Sequence, residues 1–547
     1  MHALTAVHTK TYRDSGLWTQ EVLGSQLAQH DADTVAVVDR DGYRQHTYGE
    51  LERDATCLAQ YLGSLGITAG EVVSVQLPNI YEAVVAAVAV HKLGAVINPI
   101  LPNYRQQELS HIFVTAEPRA LLTPHVYRGF DYVAMLDAMD TDIHHIVVGE
   151  ETTADRPSLD SILRNDAFKD IKLSGPTAEA VSELIFSSGT EAAPKAILHS
   201  EQTVNFSLRT AYQDMQLNGS DVVWMPSPVG HSTGFNYGLR FALYHGLKLV
   251  LQDTWNPESA IDLIRSQGCS YTLAATTFLD DLVKILEQRG EQLPFSCFGC
   301  GGAPVPAELV RRAKKQGIQV RRLYGSTEVL VATWNRSSSG PEQLENSDGL
   351  PLSNIELEIR NDDGAVAATG ESGEIFVRGP NTCLGFFNDP ERTGLLFDPE
   401  GWVRSGDLGI QDSDGYLHVI GRRKEIIIRG GLNIAPREIE ELLLRFSEVK
   451  KAAVLPLPHP RLGEYCCAAV VLGKGEHITI ADLTKRLRDL GVAQYKWPER
   501  LIHLSELPTT ASGKVQKHKI VSMLQQQEIP IDIDDCRLLY DSEVVDV

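Results

Sequence analysis

The sequence predicts an α/β protein: a large N-terminal domain of parallel α/β subdomains with a small β-barrel, followed by a smaller α+β C-terminal domain. Three observations carry that expectation. Strand-length apolar runs alternate with helical patterns through roughly the first 400 residues, which argues for parallel strands joined by helices. The stretch 366–385 instead sets short alternating strands between Gly-rich turns, as a small β-barrel does. Beyond Asp407, strands and helices recur in a shorter set that closes a small α+β domain.

Taken in order, 71–77 reads as a strand, 81–93 as a helix and 95–100 as a strand. A helix follows at 106–116 and a strand at 120–122, and 247–251 with 257–266 continues the alternation. In the C-terminal part, 416–420 reads as a strand and 436–446 as a helix opened by Pro436 and acidic residues. Strands at 452–457 and 466–472 and a helix at 480–490 complete it. These patterns place one domain at 1–406, a second at 407–526 and an acidic tail at 527–547. The tail sets Glu528, Asp532, Asp534, Asp535, Asp541, Glu543 and Asp546 against Arg537 and reads as a solvated, partly disordered extension.

At 547 residues the chain is too long for one core. Fifty basic against 72 acidic residues leave a net charge of −22, which disfavours a nucleic-acid partner because phosphate-backbone binding needs a basic face. It does not forbid a nucleotide, whose phosphates answer to local donors. Eight cysteines in such a length are no disulfide framework. Cys297-Phe298-Gly299-Cys300 has metal-like spacing without a second pair, so its thiols are expected to pack. Cys466 and Cys467 are expected on opposite faces of a strand. Met1-His2-Ala3-Leu4-Thr5 is no secretory signal, and the apolar run 83–90 is too short to span a bilayer. Val545-Asp546-Val547 is not a peroxisomal address, so the cytoplasm is the expected location.

Two loops carry the chemistry. Ser187-Ser188-Gly189-Thr190-Glu191-Ala192-Ala193-Pro194-Lys195 follows the apolar Leu184-Ile185-Phe186. Far downstream, Pro508-Thr509-Thr510-Ala511-Ser512-Gly513-Lys514 repeats the idea. Small residues let backbone N–H groups converge on phosphate oxygens, and hydroxyls and a lysine add donors and charge. Neither common nucleotide fingerprint applies. A Walker A loop needs Gly ahead of Lys-Ser/Thr, and Gly299-Cys300-Gly301-Gly302-Ala303-Pro304 is not a dinucleotide motif.

Between the loops lie Tyr324-Gly325-Ser326-Thr327-Glu328, Gly401-Trp402-Val403-Arg404-Ser405-Gly406-Asp407, Gly421-Arg422-Arg423-Lys424-Glu425 and Gly430-Gly431-Leu432-Asn433-Ile434. In this order the set resembles the adenylate-forming superfamily of acyl-CoA synthetases, firefly luciferases and peptide-synthetase adenylation domains. With Gly230-His231-Ser232-Thr233-Gly234-Phe235 it looks most like short- and medium-chain fatty acid and cyclohexanecarboxylate CoA ligases.

The resemblance implies a carboxylic acid, ATP with Mg²⁺, and CoA as partners, and a C-terminal domain that moves between two half-reactions. It assigns Ser187, Ser188, Gly189, Thr190 and Lys195 to the pyrophosphate, and Glu328 to Mg²⁺ with Thr327 beside the α-phosphate. Tyr324 faces adenine opposite Gly301, Gly302 and Ala303, and Gly325 and Ser326 are assigned to nucleotide binding. Asp407 takes the ribose hydroxyls with Arg422 as its partner, and Lys424 is the hinge. Lys514 bridges acid and α-phosphate, and Gly430 and Gly431 admit pantetheine. His231 fits either a core histidine or the residue beside the acyl carboxylate. Asn236 and Arg240, four apart, share a face, either at a polar edge of the acyl pocket or turned to solvent.

The loop departs from the family at Glu191, Ala192 and Ala196, and the alanines weaken ATP binding if their positions need φ > 0. The leading expectation is an AMP-forming acyl-CoA synthetase for a medium-size linear or alicyclic acid. The alternative is a stand-alone ligase loading an acyl carrier protein, and a third reading is a binding protein deficient in adenylation.

Overall fold

The computed structural model describes residues 6–39, 42, 44–139, 141–149, 156–173, 175–187, 195–303, 305–429, 432–459, 461–510 and 514–526. The chain forms two compact units, Met1–Leu357 with Phe376–Ser405, and Glu358–Ile375 with Gly406–Val547.

The first unit holds two mainly parallel sheets. One runs in the order Gly385–Phe386, Lys195–Ser200, Val181–Ser187, Val96–Pro99, Val72–Val75, Ala120–Pro124, His144–Val148. Its last five strands are mutually parallel, and its first two pairings are antiparallel because Lys195–Ser200 runs against both neighbours. The other has nine strands, from Leu350–Pro351 at one edge to Arg44–Thr47 at the other, with parallel pairs between Ile318–Ser326 and Val35–Asp39 and antiparallel pairs outside them. Helices cover the central strands, which is why Val72–Val75 and Val96–Pro99 are buried along their whole length and read as unbroken apolar runs.

The expected helices form at Tyr81–Leu93 and Gln106–Ala116. The first ends at Gly94, whose left-handed φ of 76° lets its N–H reach back to the carbonyls of His91 and Val90. The helix expected at 257–266 spans Pro257–Gln267, opened by the Asn256 side chain and closed by Gly268.

Charge is buried at the heart of this unit. Arg240 is fully buried and donates to Glu183 (2.9 Å), Glu201 (2.5 Å) and Asn205 (3.2 Å). Asn236 donates to the second oxygen of Glu183 (2.9 Å), and His91 Nδ1 lies 2.8 Å from Glu201. Burial alone would raise the Glu201 carboxyl, but Arg240 and His91 beside it hold it low, at about 2. The shared face of Asn236 and Arg240 is therefore not turned to solvent; it carries the most deeply buried ion cluster of the described residues. Helical spacing located the face, and the carboxylates that make its burial tolerable come from distant strands and helices.

In the second unit, Leu432–Ile434, Ile427–Arg429, Gly463–Leu472 and Val449–His459 lie in that order, with Arg500–His503 parallel to Gly463–Leu472. Cys466, Ala468 and Val470 enter one apolar cluster with the helices Pro436–Leu443 and Ile480–Asp489. Cys467 and Ala469 enter another with Leu507 and Ile520. The adjacent cysteines thus face opposite sides of the strand, as alternation requires. Cys297 and Cys300 are buried on Phe295–Cys300 in the first unit. Glu356–Arg360, Ser372–Arg378, Val403–Gln411 and Leu417–Arg422 make a four-stranded sheet. The acidic tail, 527–547, lies outside the described residues.

Arg240→Met leaves Glu183 and Glu201 buried without their cation, and the expected loss is about 3–5 kcal/mol. Urea-unfolding midpoints at neutral pH measure it, and a loss under about 1 kcal/mol shows that the two carboxylates do not depend on this cation.

Candidate active site

The first loop springs from an antiparallel pair. Ser187 ends one strand, Lys195 opens the next, and the two are register partners. Ser188, Gly189 and Thr190, like Glu191 and Ala192, lie outside the described residues. Ala196 pairs with Phe186 within the sheet and is not among the positive-φ residues, so the alanine there costs the backbone nothing.

Tyr324-Gly325-Ser326 closes the strand Ile318–Ser326, and Thr327, Glu328 and Val329 form the turn into Leu330–Trp334. Two glycines are dictated by close approach. A Cβ on Gly325 would lie 2.1 Å from the Leu330 carbonyl oxygen, and one on Gly301 would lie 2.6 Å from that of Leu323. The second contact sets the Gly301-Gly302-Ala303 backbone against the strand just ahead of buried Tyr324. Gly302 itself has a left-handed φ of 75°.

The turn is held from several sides. His199 Nε2 lies 2.7 Å from the Thr327 carbonyl, and the Cys383 amide donates to the Glu328 carbonyl at 2.8 Å. Asn381 donates to the Val329 carbonyl, and the Tyr237 hydroxyl accepts from the Val331 amide at 2.7 Å. Glu328 is half-buried at the centre of these bonds.

His231 is not a core histidine. It is the half-buried N-cap of Ser232–Gly234, its Nδ1 accepting from the Thr233 amide at 3.2 Å. Gly230 and Gly234 pack against the Ile100 and Pro228 carbonyls at distances a Cβ would violate. The chain continues as a wider π-helical turn, Phe235–Arg240. Val229, Gly230, Phe235 and Leu239, with Val75 and Ile97 among their neighbours, line a small apolar cavity of about 10 Å³.

In the second unit, Asp407 and Arg422 are cross-strand partners, the Arg422 Nε 3.3 Å from the buried Asp407 carboxylate. Lys424 is exposed on the short helix Arg423–Glu425. Gly430 and Gly431 lie outside the described residues. Lys514 is half-buried, its amide donating to Thr510 Oγ1 (3.1 Å) and its carbonyl accepting from the Thr510 amide (2.7 Å). Just beyond, the Lys517 ammonium lies 2.8 Å from Glu440 and 3.3 Å from Glu425. Burial pulls it toward neutrality, but the two carboxylates outweigh that and leave its pKa raised. The sequence reading missed His199, Cys383 and Lys517. Only His199 left a trace, a polar side chain inside an apolar strand and on the same face as Lys195.

A family model described as AMP-binding enzyme matches residues 24–387, and its companion C-terminal domain matches 438–514. The chain belongs to the AMP-binding enzyme family. It is an ATP-dependent, adenylate-forming enzyme of the acid–thiol ligase class. Among relatives in this family, the medium-chain fatty-acid–CoA ligase of Escherichia coli (strain K12) is 33% identical over 92% of this chain and 91% of its own. The salicyl-AMP ligase/salicyl-S-ArCP synthetase of Mycobacterium tuberculosis is 33% identical over 96% and 95%. ATP-bound MatB from Rhodopseudomonas palustris superposes with a TM-score of 0.83 at 25% identity, over 93% of this chain and 100% of that one. No helix among the described residues is long and apolar enough to cross a membrane.

Gly325→Ala drives a Cβ into the Leu330 carbonyl and displaces the turn bearing Glu328. The expected loss in ATP-dependent pyrophosphate release is about 10²-fold, as for a displacement on the order of 1 Å at a reacting site. Steady-state kinetics beside a thermal melt checks it, the melt separating displacement of the turn from loss of the fold.

Proposed function

We propose that the protein is an AMP-forming acyl-CoA synthetase that activates a medium-size linear or alicyclic carboxylic acid and transfers the acyl group to CoA. The observation that supports this most is the clamped Thr327–Glu328 turn, because a carboxylate on an immobilised turn costs little reorganisation when charge develops beside it. Glu328 offers one half-buried carboxylate, which suits Mg²⁺, an ion that keeps phosphate and water ligands and needs few carboxylates. When bound, the ion supplies neutralising charge on the phosphates.

In the first step an oxygen of the acid bonds to the α-phosphorus, and the bond from phosphorus to the pyrophosphate oxygen breaks. Ser187, Ser188, Gly189, Thr190 and Lys195 hold the leaving pyrophosphate. Tyr324, Gly325 and Ser326 flank adenine with Gly301, Gly302 and Ala303, Asp407 with Arg422 takes the ribose, and His231 lies beside the acyl carboxylate. Lys514 places positive charge where carboxylate and α-phosphate meet. In the second step the CoA sulfur bonds to the acyl carbonyl carbon, AMP departs with its oxygen, and the thiol proton passes to solvent. Gly430 and Gly431 let the thiol's arm approach, and Lys424 is the pivot that reorients the second unit between steps.

Similarity to a ligase named for medium-chain fatty acids supports an acid with a hydrocarbon body. Delivery to a carrier protein is the second reading, favoured by similarity to a salicyl-S-ArCP synthetase.

With ATP and Mg²⁺ the expected products are AMP and pyrophosphate in step with thioester; stoichiometric ADP overturns the assignment. Across octanoate, cyclohexanecarboxylate, salicylate and free amino acids, the first two are expected to give the highest kcat/KM with CoA as acceptor. A higher value for an amino acid, or turnover only with a carrier protein, refutes the corresponding part.

The two steps are also separable by mutation. Lys514→Ala is expected to slow acyl-AMP formation by roughly 10²–10³ while sparing thioester formation from supplied acyl-AMP. Gly431→Leu is expected to do the reverse. Equal loss of both half-reactions in both variants contradicts the division of labour.

A further inference from the structure

His199 is fully buried on Lys195–Ser200, the strand that begins with Lys195. Its Nε2 meets the Thr327 carbonyl at 2.7 Å and its Nδ1 meets Thr203 Oγ1 at 3.0 Å. A carbonyl only accepts, so a proton sits on Nε2; the Thr203 hydroxyl that faces Nδ1 also lies 3.0 Å from the Ser200 carbonyl. Thr203 is held in turn, its Oγ1 accepting from the Ser200 amide at 3.1 Å in the capping box of Glu201–Asp214. Burial also pushes the imidazole toward its neutral form, against the opposing pull of Glu183. Glu183 is the register partner of His199 on the neighbouring strand, and Arg240 and Asn236 occupy its carboxylate. The imidazole therefore carries a proton on Nε2 and is held in direction at both ring nitrogens.

We infer that His199 is a positioning residue: through its Nε2–H it pins the Thr327 carbonyl and so couples the strand that carries Lys195 to the turn that carries Glu328. This rests on the reading of Glu328 as the Mg²⁺ carboxylate. One imidazole then sets the spacing between the lysine that meets the outgoing pyrophosphate and the carboxylate that meets the metal. The coupling runs through a main-chain carbonyl, so it survives whatever side chain stands at position 327.

The test uses the full chain with ATP and octanoate, or the acid that performs best in the panel above. Pyrophosphate release is measured against Mg²⁺ concentration, and thioester formation is measured separately from supplied acyl-AMP. His199→Ala is expected to slow pyrophosphate release by about 10–10²-fold, as for a misplaced catalytic group, and to raise the Mg²⁺ needed for half-maximal rate several-fold. The thioester step is expected to stay close to wild type. His199→Gln, which keeps an N–H near the Nε2 position, is expected to restore most of the rate and the Mg²⁺ response.

Glu328→Gln, alone and combined with His199→Ala, separates the two ideas. If His199 acts through the turn, the double variant loses little more than Glu328→Gln alone. Loss in Glu328→Gln with wild-type rate and Mg²⁺ response in His199→Ala overturns the inference and leaves the site reading intact. Wild-type behaviour in Glu328→Gln overturns both. Full additivity, or equal loss in the Ala and Gln variants, reduces His199 to a packing residue. If His199→Ala does not fold, Thr203→Val, which removes the hydroxyl from Nδ1, carries the test: a shifted Mg²⁺ response supports the inference and an unshifted one overturns it.

Discussion

Arg240 is the point on which the first unit turns. Two buried carboxylates, Glu183 on a strand and Glu201 at the head of a helix, meet at one guanidinium, with His91 of a further helix behind Glu201. A planar fork with several fixed donors suits such a junction better than a flexible ammonium does. Each partner belongs to an element that leads to the candidate site. Glu183 lies on the strand that ends at Ser187, Glu201 follows the strand that begins at Lys195, and Arg240 closes the helical stretch that starts beside His231. Such a cluster is a poor source of net stability, because desolvation offsets most of the attraction. Its value here is geometric: the three elements share one register, and a slip in any of them strands a charge.

Around that junction the site is built from backbone more than from side chains. Gly230, Gly234, Gly301 and Gly325 each sit where a neighbouring carbonyl comes closer than a Cβ allows. The Thr327–Val329 turn is held by bonds to its carbonyls together with the burial of Val329. Few of these positions tolerate substitution, and two of them, Gly301 and Gly325, are also proposed to flank adenine.

Much of this was legible in sequence and some was not, for physical reasons. Helices 81–93 and 106–116 announced themselves through apolar periodicity and, in the first, a closing glycine at 94. The opposed faces of Cys466 and Cys467 followed from strand alternation alone. The burial of Arg240 did not, because its carboxylate partners stand 39 and 57 residues away in the chain and periodicity reports only which residues share a face. His199 was passed over for a related reason: its contact with Thr327 spans 128 residues. Ala196 looked like a weakness against the family pattern, and the sheet shows a strand position that asks nothing of glycine.

The strand Gly463–Leu472 separates two apolar clusters, and the segments flanking the Lys514 loop, through Leu507 and Ile520, enter the same one of them. Both roots of that loop are therefore tied to a strand covered on both faces. Opening of the second unit is cooperative across this wall, since neither half can expose its apolar face without breaking the strand they share. Amides of 466–470 are accordingly the natural reporters of its global opening in hydrogen exchange.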